Sequence, residues 1–323
     1  MSLVIAFLVT FILVPVVIRS KIIDKPNYRS IHVKETPKAG GIAIFFGVLA
    51  GILMNGYGMA HWAFSALLIG AAGLGFLDDV KNLSPKTKLL AQLVLSICTI
   101  VAGYQFNIFG NLIDSILTVV WIIGFMNAFN LIDGMDGLAA GVAVISAGAF
   151  LLLGNSGFSA ILLPLIGALA AFLIYNFKPA KIFMGDTGSM LLGYFLGVMG
   201  LMTQSSANSN ILGMISLILI LFYPIFDTFL SIIRRKVNNH PILAPDRSHS
   251  YNLMVDQLGL GVLQTICLIY LLSIFTGIIG ILTYRSFSLM VGMVTFLTIV
   301  GVLVFMVLRL RLLSESKYEK SKE

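Results

Sequence analysis

Residues 112–137 read LIDSILTVVWIIGFMNAFNLIDGMDG, and the reading of this stretch decides the fold. From Leu112 to Phe129 it carries one acid, Asp114, at its start and no Lys or Arg. Such a run is long enough to cross a hydrocarbon core of roughly 30 Å. Two carboxylates, Asp133 and Asp136, and two amides, Asn127 and Asn130, then arrive within ten residues, interleaved with Gly134 and Gly137. These groups fall where a membrane helix meets water, a place where ionisable side chains are costly and are read as functional. The plain alternative is that Asn130, Asp133 and Asp136 end one helix and cap the next. It weakens because the same setting recurs at Asp78-Asp79 and at Asp186.

Composition widens the inference to the whole chain. Hydrophobic residues make up 58% of the 323 positions and charged residues 11%, whereas a soluble domain carries about a quarter charged residues. The expected fold class is therefore an all-α, polytopic integral membrane protein. No Lys or Arg precedes Arg19, so the first apolar run reads as a membrane helix rather than a cleaved signal peptide. Cys98 and Cys267 lie in separate apolar runs without metal-ligand spacing, and are expected to be small core residues with no disulfide framework. A net charge of +7 would suit a nucleic-acid partner, but the basic residues sit in short loops between apolar runs. Positive-inside topology explains them better, and no nucleic-acid partner is expected.

Apolar runs able to span occur at roughly 2–18, 41–58, 62–77, 89–104, 112–130, 138–154, 158–175, 188–203, 211–230, 261–283 and 287–308. This predicts about eleven helices (ten to eleven) in one catalytic domain over 1–308, followed by a charged tail at 309–323. Alternating sides then put every one of the 21 Lys and Arg except Arg285 on one face. That face is expected to be cytoplasmic, with the N-terminus outside and the C-terminus inside. Every Asp and Glu except Asp114 follows the same side. The chemistry is thus expected to face the cytoplasm. Gly47 with Gly51, Gly137 with Gly141, and Gly193 with Gly197 are read as close helix contacts.

The loops on the basic face carry the candidate residues. The first, from Asp24 through Arg29 and His32 to Gly41, suggests an anion-binding segment, with Lys34 and Lys38 acting only as orientation signals. In Phe76-Leu77-Asp78-Asp79, adjacent carboxylates repel, so one must be protonated, paired with a cation or close to a metal. Lys88 opens the next span and could reach a phosphate at the membrane surface. Asp186 sits between Gly185 and Gly188 immediately before a helix. It reads either as an N-cap or as part of a phosphate site at the helix start. In the last loop Arg247 and His249 are candidate diphosphate donors, Arg234–Lys236 are expected to anchor against anionic lipid, and Asp227 either lines the site or serves as a cap or salt-bridge partner. Asp78, Asp79, Asn130, Asp133, Asp136 and Asp186 are hard oxygen donors, and clustered Cys or His is absent. Mg²⁺ fits them, with Mn²⁺ as the alternative. A divalent ion beside Lys and Arg is the recurring apparatus of phosphoryl transfer.

Four segments carry a family resemblance beyond this. FLDDVKNLSPKTKLLAQ (76–92), NAFNLIDGMDGLAAG (127–141), KIFMGDTGSMLLGY (181–194) and PDRSH (245–249) resemble the polyprenyl-phosphate N-acetylhexosamine-1-phosphate transferases, in the family's order. The loop DKPNYRSIH followed by PKAGG resembles the bacterial GlcNAc branch of glycosyltransferase family 4. The resemblance implies transfer of GlcNAc-1-phosphate from UDP-GlcNAc to undecaprenyl phosphate, with release of UMP, as the first membrane step of a cell-envelope polysaccharide. It implies that Asp78 and Asp79 position or deprotonate the lipid phosphate, and that Asn130 and Asp186 hold Mg²⁺ against the diphosphate. Asp136 with the Gly134 backbone would lie towards the uridine, Asp133 would bind substrate, and Lys88 and Arg247 would face phosphate oxygens. His249 would act on the diphosphate. Where the GlcNAc branch usually reads DR-x-HIHH, this chain has Tyr251 and Asn252 after His249. The sister branch using UDP-MurNAc-pentapeptide has consecutive histidines, which are lacking here.

Phosphate is already anionic at neutral pH, so direct attack of the lipid phosphate on the sugar-linked phosphorus is the favoured route. A covalent aspartyl intermediate is the alternative. Another UDP-N-acetylhexosamine, or UDP-MurNAc-pentapeptide, as donor is a second reading of the substrate. A cation-coupled transporter is the rival from another class, but its ligands would sit near the midplane of inverted repeats. The oligomeric state, a homodimer included, is open at this level.

Overall fold

The computed structural model describes residues 1–20, 22–24, 35–154, 157–207, 210–239 and 248–285, with isolated positions at 290, 294, 297 and 301. The loop at 25–34, Arg247, the expected span at 287–308 (those four positions apart) and the tail at 309–323 lie outside the described residues. In chain order the helices are α1 (Ser2–Val17), α2 (Gly40–Met54), α3 (Tyr57–Ala60), α4 (Trp62–Lys81), α5 (Pro85–Val101), α6 (Asn111–Ile132) and α7 (Leu138–Leu152). They continue with α8 (Phe158–Asn176), α9 (Gly185–Ser205), α10 (Asn210–Ile220), α11 (Phe222–Val237), α12 (Ser250–Asp256) and α13 (Val262–Arg285). One two-residue antiparallel bridge, β1 (Ile23–Asp24) with β2 (Thr36–Pro37), is the exception to the all-α expectation.

The protein is a helical, multi-pass membrane protein. Among the described residues, four helices, α4, α6, α8 and α13, are long and apolar enough to cross a bilayer unaided, and a fifth if α10 and α11 form one broken span. The helices α1, α2 and α7 are apolar but shorter. The expected run at 211–230 is not continuous, because α10 and α11 meet at a 78° bend. Pro224 has no N–H for a carbonyl one turn back, and the Ile220 carbonyl accepts the Ser146 hydroxyl at 3.1 Å instead. The expected run at 62–77 continues as helix to Lys81, so Asp78 and Asp79 occupy the last turn of α4 rather than a loop.

At the centre stands α9, buried along nearly all its length. It packs against α2, α4, α6, α7 and α10, and its glycines let neighbouring backbones approach. A Cβ on Gly193 would lie 2.3 Å from the Phe125 carbonyl oxygen of α6. The three expected glycine pairs do lie at helix contacts. Gly47 meets Thr10, Gly51 meets Pro164, and Gly141 is covered by the Tyr270 hydroxyl. Cys98 and Cys267, expected in the core, are exposed on the outer surface of the bundle.

Polar groups collect at the two ends. At one end Asp114 accepts the N–H groups of Ile108, Phe109 and Gly110 at 3.0–3.1 Å, while Asn107 donates to Gln204 and Arg285 to the Leu152 carbonyl. At the opposite end lie the C-termini of α4, α6 and α8, the N-termini of α5, α7 and α9, and the candidate site.

Candidate active site

The site begins with a backbone contact between α4 and α9. A Cβ on Gly75 would lie 2.2 Å from the Asp186 carbonyl oxygen and 2.6 Å from Thr187 Cα. One turn later, Asp79 accepts the N–H groups of Asp186 at 3.0 Å and Thr187 at 2.8 Å, and the Thr187 hydroxyl at 2.6 Å. The first-turn N–H groups of a helix have no partner within it, and Met184, at the N-cap of α9, supplies no side-chain bond. Asp79 caps α9 from another helix and places its charge at the positive end of the dipole. The capping reading of Asp186 therefore fails, and its carboxylate is left for other work.

A strap over the same point brings in Lys38. Phe183 donates its N–H to the Pro37 carbonyl, and Gly40 and Gly41 donate to Phe183 and Met184. The Lys38 ammonium then stands 3.5 Å from Asp79 Oδ1. Lys38 is thus a partner of the site, not only the orientation signal expected of it. With both oxygens engaged, Asp79 holds α9 in place, whereas Asp78 faces the centre.

Asp78 accepts the Leu83 N–H at 2.8 Å through Oδ1, and its Oδ2 pairs with the Lys88 ammonium. Lys88 is delivered by the first turn of α5, where Ser84 caps the Thr87 N–H and Pro85 opens the helix. The same ammonium lies 4.0 Å from Asp186 Oδ2. From the last turn of α6, the Asn130 amide contacts Asp186 Oδ1 and donates to Ser189 Oγ at 3.1 Å. Asp78, Lys88, Asn130, Asp186 and Ser189 thus converge from α4, α5, α6 and α9.

The turn after α6 is pinned rather than loose. Asp136 accepts the Ala180 N–H at 3.0 Å. Gly137, at φ 77°, donates to Asn176 Oδ1 at 2.9 Å, and Asn176 in turn donates to the Ile182 carbonyl at 2.8 Å. The Tyr270 hydroxyl donates to the Gly137 carbonyl at 2.6 Å. Asp133 is half-buried at this turn. Burial first, then the charges of Asp186, Asp79 and Asp136, push its carboxyl well above the usual range. A carboxyl raised in the folded state costs stability as pH climbs above its unfolded range. In EDTA, Asp133→Asn should therefore raise Tm, with an advantage that grows from about pH 4 upward. A variant melting below the native protein at pH 8 would contradict this.

The last loop reaches the same turn through Tyr251, whose hydroxyl donates to the Leu131 carbonyl at 3.1 Å and leaves no room for a side chain at Gly134. His249 stacks on Tyr251, with centroids 5.6 Å apart and planes 6° apart. Arg247, the other predicted donor, is outside the described residues. Arg234 and Arg235, expected at a lipid surface, are instead 1% and 7% exposed. Lys38, Thr187, Asn176, Ser189 and Asp227 are site or supporting residues that sequence reasoning did not assign. Of these, the sequence offers a site role only for Asp227, as one of two equal readings, and reads Lys38 as an orientation signal.

Among the described residues, five carboxylates (Asp78, Asp79, Asp133, Asp136, Asp186) face two ammonium groups (Lys38, Lys88) here. Among the described residues no three His, Cys, Asp or Glu form a complete ligand set. Asp186, Asn130 and Asp78 could hold a hard cation that keeps water or ligand oxygens in its remaining positions. The donors are all oxygens and the charge excess is negative, so a divalent cation fits.

The sequence profile of glycosyl transferase family 4 matches residues 61–204, which contain all of these groups except Lys38 and the last loop. A Bacillus subtilis protein described as a probable undecaprenyl-phosphate N-acetylglucosaminyl 1-phosphate transferase is 38% identical over 299 residues, covering 86% of this chain and 83% of its own length. A Yersinia pestis undecaprenyl-phosphate alpha-N-acetylglucosaminyl 1-phosphate transferase is 29% identical, covering 85% of this chain and 80% of its own. A Staphylococcus carnosus phospho-N-acetylmuramoyl-pentapeptide-transferase is also 29% identical, covering 86% and 97%. With the profile match and a 38% identical relative covering most of both chains, this chain belongs to glycosyl transferase family 4, the membrane-embedded polyprenyl-phosphate N-acetylhexosamine-1-phosphate transferases.

Proposed function

We propose that the chain transfers GlcNAc-1-phosphate from UDP-GlcNAc to undecaprenyl phosphate, releasing UMP, at the cytoplasmic face of a bacterial cell membrane. The convergence of Asp78, Lys88, Asn130 and Asp186 at one end of the bundle carries this reading, supported by the likeness to the Bacillus subtilis protein. Two anions must meet for the reaction, so the protein's task is to position them and spread their charge. Lys88, held by Asp78, offers its ammonium to the lipid phosphate where α5 enters the membrane. Asn130 and Asp186 would hold Mg²⁺, which would supply neutralisation of diphosphate charge. Asp136 and the exposed Gly134 backbone lie towards the uridine. His249 and Arg247 donate to phosphate oxygens. Asp79 keeps the start of α9 in register with Asp78.

Radiolabel from UDP-GlcNAc should enter a lipid-extractable product with purified protein and undecaprenyl phosphate, and excess EDTA should stop it. Activity retained in EDTA would remove the metal from the scheme. Transfer from UDP-MurNAc-pentapeptide, but not UDP-GlcNAc, would move the chain to the sister reaction. The topology is tested with single cysteines at Lys86 and Lys178, expected to label only from the cytoplasmic side, and at Arg285, expected to label only from outside. Reversal at any one of the three breaks the sidedness and the eleven-helix arrangement with it.

A further inference from the structure

Beneath the last loop runs a buried polar row that the scheme above does not use. Asp227, Ser231 and Arg234 stand at i, i+4 and i+7 on α11 and so share one helix face. They are 0%, 1% and 1% exposed. Asp227 Oδ1 accepts the Ser250 N–H at 2.7 Å, and Oδ2 lies 2.8 Å from His249 Nδ1. Ser231 Oγ stands 3.2 Å from the same nitrogen and accepts from Arg234 Nη2 at 3.2 Å. The Tyr223 hydroxyl reaches Ser250 Oγ at 3.1 Å and completes the support for the start of α12.

A fully buried carboxylate is costly unless its lone pairs are met. An ionised carboxylate can only accept, so the short contact to Oδ2 puts a proton on Nδ1 of His249. Any second proton taken by the ring then enters at Nε2, on the side away from Asp227. The stack on Tyr251 sets the plane of the ring, and Tyr251 is itself anchored to the Leu131 carbonyl beside the catalytic turn. Tautomer and orientation are therefore both set from behind.

We propose that Asp227 is a positioning residue for the transfer reaction, acting only through His249: it holds the Nδ1–H, so that the ring bearing both protons donates from Nε2 to the phosphates. This rests on the role given to His249 in the proposed function. An Asn at 227 removes the charge that supports a ring protonated on both nitrogens and can turn its NH₂ towards Nδ1, which leaves at most a neutral, weaker Nε2–H donor. Asp227→Asn is expected to lower kcat about 10- to 150-fold, with KM for the UDP-sugar changed less than about threefold. The double variant Asp227→Asn/His249→Ala should be no slower than His249→Ala alone, because the second change has nothing left to act through. A purely structural role would instead give additive losses. Should Asp227→Asn fail to fold, ¹⁵N NMR of the histidine-labelled native protein still decides. The resonances missing from His249→Ala should show a protonated Nδ1, and an unprotonated Nδ1 would overturn the proposal. Undiminished transfer by His249→Ala removes the reading beneath it and the proposal together. Loss in His249→Ala combined with a silent or additive Asp227→Asn leaves that reading standing and overturns the proposal alone.

Discussion

Asp186→Ala is expected to lower transfer by at least about 10²–10³-fold, the scale of removing one preorganised electrostatic contact from a reacting centre, while the protein inserts and melts normally. The reason lies in how the first turn of α9 is held. Its backbone N–H groups are taken by Asp79, so the Asp186 side chain contributes nothing to the cap. That side chain contacts Asn130 and approaches Lys88, and it adds to the repulsion felt by Asp133. Losing it should leave Tm in EDTA unchanged or slightly higher. Asp79→Ala should behave in the opposite way, since it removes an N-terminal cap worth about 1 kcal/mol and strands Lys38, so its Tm should fall. Thermal melts of both variants beside the radiolabel assay test the division. An Asp186→Ala protein that melts lower than Asp79→Ala would show that the roles have been exchanged.

Gly75→Ala is expected to lose about 10²-fold in activity from a single added methyl group. The new Cβ would meet the Asp186 carbonyl oxygen at 2.2 Å and Thr187 Cα at 2.6 Å. Both are backbone atoms, which cannot rotate aside, so α4 must move away from α9. A displacement on the order of 1 Å at reacting groups costs about 10²-fold. It also stretches the bonds from α9 to Asp79 beyond useful length. Overpacking of this kind costs roughly 1–3 kcal/mol, read as a lowered Tm. Gly73→Ala, on the same helix with nothing within 4 Å of its added Cβ, is the control and should keep native activity. Native activity and Tm in Gly75→Ala would mean that the α4–α9 contact does not set the site.

The two predictions separate neighbours that look alike in the chain. Asp78 and Asp79 are adjacent carboxylates at the end of one helix, about 100° apart around its axis. One turns towards Lys88 and the other towards the N-terminus of α9. Nothing in FLDD distinguishes them.

Sequence alone was enough for the membrane class, for the positions of nearly all the described helices, and for the gathering of acids at one end. Hydrophobic run length and the scarcity of charge are properties of the chain read locally, and the bilayer filters them directly. The candidate residues Asp78, Lys88, Asn130, Asp133, Asp136 and Asp186 were legible for the same reason, as polar groups bordering apolar runs. Tertiary structure decided what each of them touches. The cap on α9 comes from a residue more than a hundred positions earlier. Lys38 reaches Asp79 only because a strap pairs residues 37–41 with 183–184. Arg234 is buried rather than lipid-anchored because α11 turns away from α10 at Pro224 and presents Asp227, Ser231 and Arg234 inward together. Local pattern reports where a side chain is costly, but the partner that offsets the cost is chosen by helix packing, which depends on glycine contacts between segments far apart in the chain.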